Sequence, residues 1–365
     1  MIRVAQVMGY MEGGGVEQVA MNYYRHIDRS LVQFDFLVCE GSGMVPRGEI
    51  ESMGGRVLMV PPYKRLPRYT RELERLFREG RWPIVHSHVN ALSVFPLRAA
   101  KRAGAPVRIA HSHTTTGKGE TAKSAAKAVL RRFSNVYPTH RMACSRYAGE
   151  WLFGKGAEFE VVYNAIDLSR FAFDAEARAR ARADLGLVDD QLAIGHVGRF
   201  VPVKNHRFLI EAFAELVKLR PDAVLLLVGS GEAEALVEGW AAERGVADRV
   251  RFLGQRNDVD RLYQALDAFA LPSLYEGLPL VSVEAQAAGL PCLLSDRITR
   301  EVDVTGAVRF LPIDDPSAWA EALSEVEPGT RIDACRDDFE NYDIDCAAER
   351  LAARYLELAK EAKRG

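Results

Sequence analysis

The chain predicts an α/β protein built from two doubly wound parallel-sheet domains, and three observations carry that expectation. At 365 residues it is too long for one average domain. Short apolar runs alternate with stretches of helical period along its length. The alternation stops near Phe171 and begins again, so one βα series follows another.

In the first series the strand candidates are Ile2–Val7, Phe34–Cys39, Val57–Val60, Ile84–His88, Arg108–His113 and Met142–Cys144. Helical patterns lie between them, near Val16–His26, Arg71–Glu79, Ala91–Ala103, Ala122–Phe133 and Ala148–Phe153. The second series offers strands at Leu192–Val197, Ala223–Val228, Val250–Leu253, Phe269–Leu271, Pro291–Ser295 and Val308–Leu311. Its helices are expected near His206–Leu219, Glu232–Arg244, Val259–Ala265, Leu280–Ala288 and Ser317–Glu325. The join falls around Asp167–Asp174, ahead of the Ala/Arg-rich helix Ala175–Leu185, which gives domains of 1–170 and 171–346. A last helix, Ala347–Lys363, follows the second series.

Composition narrows the class. Hydrophobic residues make up 48% and charged residues 27%, as in an ordinary soluble protein, and no apolar run is long enough to span a bilayer. The N-terminus enters a strand pattern at once, without a basic leader and apolar core, so no secretion signal is expected. Five cysteines sit at no metal or disulfide spacing, which suits a reducing cytoplasm. Of 48 Lys and Arg and 50 Asp and Glu, 25 and 15 fall at or before Arg170, leaving 23 and 35 after it. The first half is therefore basic and the second acidic. Two clusters concentrate the positive charge: Lys64, Arg65, Arg68, Arg71, Arg75, Arg78 and Arg81, then Lys118, Lys123, Lys127, Arg131 and Arg132. They would suit an anionic membrane surface, or simply form solvated helix faces. No aromatic stacking motif accompanies them, so nucleic acid is not an expected partner.

Ligands of open α/β sheets bind beyond the carboxyl ends of the strands, so a cleft between two such domains is the natural site and the chemistry belongs to strand-end loops. The most informative loop runs Glu276-Gly277-Leu278-Pro279-Leu280 and on to Glu284, eight residues after Glu276. Pro279 suits a first helical residue, which puts Glu276 in the loop and Glu284 on the second turn, roughly 7 Å deeper at 1.5 Å per residue. The helix N-terminus favours an anion such as a diphosphate and leaves both acids to accept from hydroxyls. An N-cap acid plus a surface glutamate is the plainer alternative.

Gly198-Arg199 ends a strand and Lys204-Asn205 opens the next helix, placing two cations where each could contribute about 1.5–3 kcal/mol to a diphosphate, unless they are mere surface charges. After the first strand, Gly13-Gly14-Gly15-Val16-Glu17 lets backbone approach a ligand, although it lacks the dinucleotide-binding spacing and reads equally as a turn. Gly229-Ser230-Gly231 is a weaker phosphate-loop candidate. His86-Ser87-His88 and His111-Ser112-His113 each end a strand, and residues two apart share a strand face. Four imidazoles could hold zinc, but no acidic partner accompanies them and substrate-facing or structural roles compete. Asp258-Val259-Asp260 matches a metal motif superficially, and since it opens a helix, capping is expected instead.

These motifs occur in an order that resembles the retaining glycosyltransferases of family 4, whose GT-B fold sets two Rossmann-like domains face to face. The resemblance rests on Gly13–Glu17, His111-Ser112-His113, Val162-Tyr163-Asn164-Ala165-Ile166-Asp167, Gly198-Arg199 with Lys204, Val228–Gly231, Val250–Gly254 and Glu276–Glu284, and so runs over nearly the whole chain. It implies that Arg199 and Lys204 hold the donor diphosphate, Glu284 the ribose hydroxyls and Glu276 the transferred sugar. Gly277, Leu278, Pro279 and Leu280 would line the sugar and phosphate pocket, Arg251, Phe252 and Leu253 would meet the base through backbone, and Gly14 and Gly15 would approach the diphosphate. His113, with His111 beside it, would face the reacting sugar on the acceptor side. The closing helix would cross back to the first domain. The family often has Asn-Gly where this chain has Asn164-Ala165, a residue that disfavours positive φ.

The resemblance further implies transfer of a sugar from a nucleoside diphosphate, with UDP the first candidate, to an acceptor hydroxyl with retention. No cofactor or metal is called for. Lipid-linked or saccharide acceptors, as in exopolysaccharide or capsule assembly, would suit the basic first half, with the protein cytoplasmic or peripheral on the inner membrane face. A sugar-nucleotide 2-epimerase of the same architecture, a metal-dependent hydrolase built on the His-Ser-His pairs and a catalytically silent sugar-nucleotide binder stay open as alternatives.

Overall fold

In a computed structural model, which describes residues 1–113 and 128–363, the chain forms two compact units. The first contains Met1–Ala165 together with Asn341–Gly365, and the second Ile166–Glu340. The crossing at Ala165 precedes the expected join because helix Leu168–Phe171 packs on helices Val259–Ala265 and Leu280–Ala287 of the second unit.

The first unit carries strands β1 (Ile2–Gly9), β2 (Val32–Cys39), β3 (Arg56–Val60), β4 (Ile84–Ser87), β5 (Val107–Ser112), β6 (His140–Ala143) and β7 (Glu160–Val161). All are parallel, in the order β3-β2-β1-β4-β5-β6-β7. Every residue of β2 is buried, as expected of a strand covered on both faces. Helix Leu66–Gly80 begins five residues before its expected start, since Pro67 is tolerated in a first turn. It buries Tyr69, Leu73, Leu76 and Phe77 on one stripe. The two-residue β7 and the helix Arg47–Ser52 carry too few periodic residues to be read from sequence. Ala91–Ala103 divides into a 3-10 turn, Asn90–Ser93, and helix Val94–Arg102. Of the expected helix Ala122–Phe133, residues 122–127 lie outside those described, and helical structure ends at residue 131.

The second unit carries β8 (Ala193–Val197), β9 (Val224–Val228), β10 (Val250–Phe252), β11 (Ala268–Leu271), β12 (Cys292–Ser295) and β13 (Arg309–Leu311). They too are parallel, in the order β10-β9-β8-β11-β12-β13. Leu192, Ile194, Phe208, Phe213 and Trp319 lie in its core. Each sheet is anchored by a buried aspartate. Asp35 accepts from Arg3, Arg56 and Trp82, and although burial would raise its pKa, those bonds lower it to about 2. Asp267 accepts from Arg178 and Arg182.

The closing helix, Ile344–Glu361, belongs to the first unit and is capped by the Asp343 carboxylate. It buries Ile344, Ala347, Ala348, Leu351, Ala352, Tyr355, Leu358 and Ala359. That stripe packs on helix Gly15–His26 and on β2 and β4, and brings the Tyr355 hydroxyl to the carboxyl half of the sheet.

Candidate active site

In the second unit, the loops after β8, β9 and β11 meet. Gly198 donates its N–H to the Val228 carbonyl at 2.9 Å. A Cβ on Gly229, whose φ is +137°, would stand 2.1 Å from the Gly198 carbonyl oxygen, so the close packing of these two loops requires glycine here. Lys204 ends the 3-10 turn Pro202–Lys204, and Asn205 follows in the left-handed region with φ 55°. Asn205 donates to the Pro272 carbonyl at 3.2 Å and the Leu274 N–H to the Val203 carbonyl at 2.8 Å, tying this turn to the loop after β11.

That tie joins two residues 72 positions apart: Lys204 Nζ donates to Glu276 Oε1 at 2.7 Å, with the side chains 15% and 18% exposed. Arg199, in the loop between β8 and that turn, is exposed and forms no ion pair among the described residues. The loop after β8 thus offers one guanidinium without an ion pair and one lysine already paired with a carboxylate.

Pro279 occupies the N-cap of helix Leu280–Ala287 rather than the first helical position expected of it, because its ψ of 111° is extended while its carbonyl accepts from Ser282 N–H. Gly277, Leu278 and Leu280 are buried beside it. Glu284 lies on the second turn, its carboxylate accepting from Tyr263 at 3.0 Å. Burial raises its pKa to about 7 against the opposing pull of Tyr263 and Arg170. Tyr263 was not foreseen, since nothing local to either residue marks the pair. The residues expected to meet the base are partly committed. Arg251 bonds the Leu185 carbonyl, Phe252 stacks on Phe200 at 6.0 Å and Leu253 N–H donates to Leu227 at 2.9 Å.

In the first unit, Gly14 caps helix Gly15–His26, and its N–H donates to Glu17 Oε2 at 2.8 Å. A carboxylate thus occupies the amide expected to meet a diphosphate. A Cβ on Gly15 would touch nothing within 4 Å.

All four histidines, His86, His88, His111 and His113, are buried at the carboxyl ends of β4 and β5. Two chains of hydrogen bonds run through them. In one, Tyr355 OH meets His86 Nδ1 at 2.6 Å and His86 Nε2 meets His111 Nδ1 at 3.0 Å. In the other, Gln6 Oε1 meets His88 Nε2 at 2.8 Å and His88 Nδ1 meets His113 Nε2 at 2.8 Å. The chains stack on one another, with centroids 4.3 Å apart for His86 and His88 and 3.9 Å for His111 and His113. Burial holds His86 and His113 down to about 3 and the other two well below the ordinary range, so the cluster is neutral at pH 7.

Ring nitrogens of His86, His88 and His111 lie within 4.8 Å of one another, a spacing a metal could use. The His86 and His111 rings are nearly parallel, 13° apart, with facing nitrogens 3.0 Å apart and a proton between them. A shared zinc, about 2.0–2.1 Å from each nitrogen, would have to break that bond.

Two family models match the chain: a glycosyl transferase 4-like domain over residues 14–165 and glycosyl transferases group 1 over residues 177–330. EpsF of Bacillus subtilis, named as a glycosyltransferase, is 39% identical over 90% of this chain and 88% of its own length. The chain belongs to the group 1 glycosyltransferases. The UDP-Gal:alpha-D-GlcNAc-diphosphoundecaprenol alpha-1,3-galactosyltransferase of Escherichia coli is 28% identical over 81% of this chain and 79% of its own. Among solved structures, Anabaena Alr3699/HepE in complex with UDP-glucose superposes with a TM-score of 0.74 at 19% identity, covering 100% and 99% of the two chains, which shows the GT-B fold.

One expectation for this glycosyltransferase is corrected. Asp258 sits at the N-cap of helix Val259–Ala265, but its carboxylate grips Arg256 at 2.6 and 2.8 Å instead of capping, because the guanidinium is the stronger donor. Asp260 pairs with Arg170. The first basic cluster is partly neutralised, with Arg75 on Glu72 and Glu79 and Arg78 on Glu74. Lys118, Lys123 and Lys127 of the second cluster lie outside the described residues, and Arg131 covers the Trp151 ring at 5.4 Å. No described helix is long and apolar enough to cross a membrane. Ala165, where the family often has glycine, takes no positive φ. It is fully buried, and its carbonyl accepts from Asn22 at 3.0 Å.

Proposed function

We propose that this glycosyltransferase moves a hexose from a nucleoside diphosphate, UDP in the first instance, to a hydroxyl of a lipid-linked or saccharide acceptor, with retention and without a metal. The observation that carries the reading is the convergence of Arg199, Lys204 and Glu276 at the carboxyl ends of β8 and β11, cations for a diphosphate beside an acceptor of sugar hydroxyls. The bond from the anomeric carbon to the phosphate oxygen breaks as the acceptor oxygen attacks from the same face. The departing phosphate oxygen takes the acceptor's proton while Arg199 and Lys204 stabilise its charge. Glu276 is held by Lys204 and Glu284 is buried against Tyr263, which leaves neither poised as a nucleophile and favours same-face attack. His113, His111, Gly14 and Gly15 stand for the acceptor side and the closing contacts, and Leu253 and its neighbours for the base. The diphosphoundecaprenol-linked sugar in the Escherichia coli relative's name and the UDP-glucose in complex with HepE support UDP and a lipid-linked saccharide acceptor, and a cytoplasmic protein peripheral on the inner membrane face is part of the same proposal.

The test is a panel of UDP-sugars with polyprenyl-diphosphate sugars as acceptors, with the product anomer read by NMR and EDTA present throughout. An α-linked product is expected. A β-linked product, a free epimerised sugar made without acceptor, or an EDTA-sensitive rate would sink the reading.

A further inference from the structure

The two imidazole chains have a direction. Gln6 Nε2 donates to Tyr355 OH at 3.3 Å, which turns Gln6 Oε1 toward His88. An amide oxygen only accepts, so His88 carries its proton on Nε2 and accepts at Nδ1. His113 must then hold its proton on Nε2, leaving a lone pair on Nδ1 that has no partner among the described residues. In the other chain the Tyr355 hydroxyl, accepting from Gln6, donates to His86 Nδ1. His86 Nε2–H donates to His111 Nδ1, and His111 Nε2–H is left without a described partner. One buried amide therefore sets the tautomers of four rings, because each neutral imidazole that accepts at one nitrogen donates at the other.

We propose that Gln6 is a positioning residue that acts through His88 to hold His113 as a hydrogen-bond acceptor at Nδ1, while Tyr355 sets His111 as a donor at Nε2. The group received by His113 is then an O–H of a bound saccharide, and the group received by His111 a lone pair. This assignment rests on the reading of His113 as a substrate-facing residue of the transferase. Asn164 supplies the competing arrangement: it lies close enough to favour a protonated His113, yet the ring Nδ1 is outside hydrogen-bond geometry with it.

Two-bond proton–nitrogen correlation spectra of the 15N-labelled full chain at pH 7.5 test the idea, with His113 assigned from His113→Asn. Nε2–H with an unprotonated Nδ1 is expected at both His88 and His113. Gln6→Met should release both rings into mixed tautomers and lower kcat roughly five- to tenfold, about one neutral hydrogen bond, with the donor KM within about twofold. Gln6→Glu keeps an acceptor oxygen on His88 and should restore the pattern at His88 and His113. A wild-type His113 protonated on Nδ1, a stoichiometric zinc on the imidazoles, or an unchanged His113 in Gln6→Met would each overturn the proposal. The wild-type spectrum decides it even if the Gln6 variants do not fold. The expected ring pattern in a protein that binds no nucleotide sugar by calorimetry would uphold the tautomer assignment and sink the functional reading instead.

Discussion

The carboxyl end of the first sheet presents neutral, buried imidazoles, whereas that of the second presents charged side chains, partly exposed and paired. On the proposed function, the difference follows from what each would meet. A hydroxyl has both a proton and lone pairs to offer and is read by groups of fixed tautomer, which low dielectric and stacked rings preserve. A diphosphate is read by charge, and charge must stay near water or be paired until it arrives. In both units a carboxylate already occupies an anion's expected position, Glu17 on the Gly14 amide and Glu276 on Lys204.

Acid should break the comparison most visibly. A histidine whose folded pKa is depressed contributes stability above its unfolded value and loses it as pH falls. The window for His86 and His113 runs from about 6.5 down to about 3. At pH 5 each should cost about 2 kcal/mol. His88 and His111 act in the same direction, and the second unit has only His196 and His206 shifted likewise. Fluorescence of Trp82 and Trp151 should therefore report acid unfolding at higher pH than Trp240 and Trp319. Coincident transitions would remove the contrast.

Glu284 has the opposite sign. Its raised pKa means that stability present below about 4.5 is lost as pH rises through about 7. Glu284→Gln should raise the stability of the free protein by up to about 3 kcal/mol at pH 8 and by nothing at pH 4. A pH-independent change in chemical denaturation would show that burial does not control this carboxyl.

Charge and neutrality should also separate binding from turnover. Lys204→Ala or Arg199→Ala should weaken UDP by about 10- to 100-fold in calorimetry, whereas His113→Ala should leave UDP affinity within about twofold and lower kcat. Equal losses of UDP affinity in all three would erase the division. The smallest effect concerns the resident carboxylate: Glu276→Gln frees Lys204 and should tighten UDP by about two- to fivefold while suppressing transfer. Weaker UDP binding would mean that Glu276 itself orders the site.

Much of this was legible in the chain. The apolar runs located every strand except β7, and their boundaries moved by only a residue or two at most ends, because a strand covered on both faces must be apolar throughout. Glu276, Lys204 and the His-Ser-His pairs were visible as strand-end residues. Tyr263, Gln6 and Tyr355 were not, because a tyrosine on a helix and a glutamine in a strand have no local pattern that distinguishes a partner from a core residue. Asp258 misled for a related reason, since a helix-start acid reads as a cap until a guanidinium stands beside it.

Sequence alone determined the two βα series, the strand-end position of the reactive side chains and the family, because period, turn residues and motif order are local properties. Tertiary structure decided which side chains meet: Lys204 with Glu276 across 72 positions, Gln6 with His88 across 82 and His86 with Tyr355 across 269. The physical reason is that parallel strands bring their carboxyl ends side by side whatever their separation along the chain, and that the closing helix packs back on β2 and β4. Charge state and tautomer depend on those neighbours and on burial, neither of which a residue carries by itself.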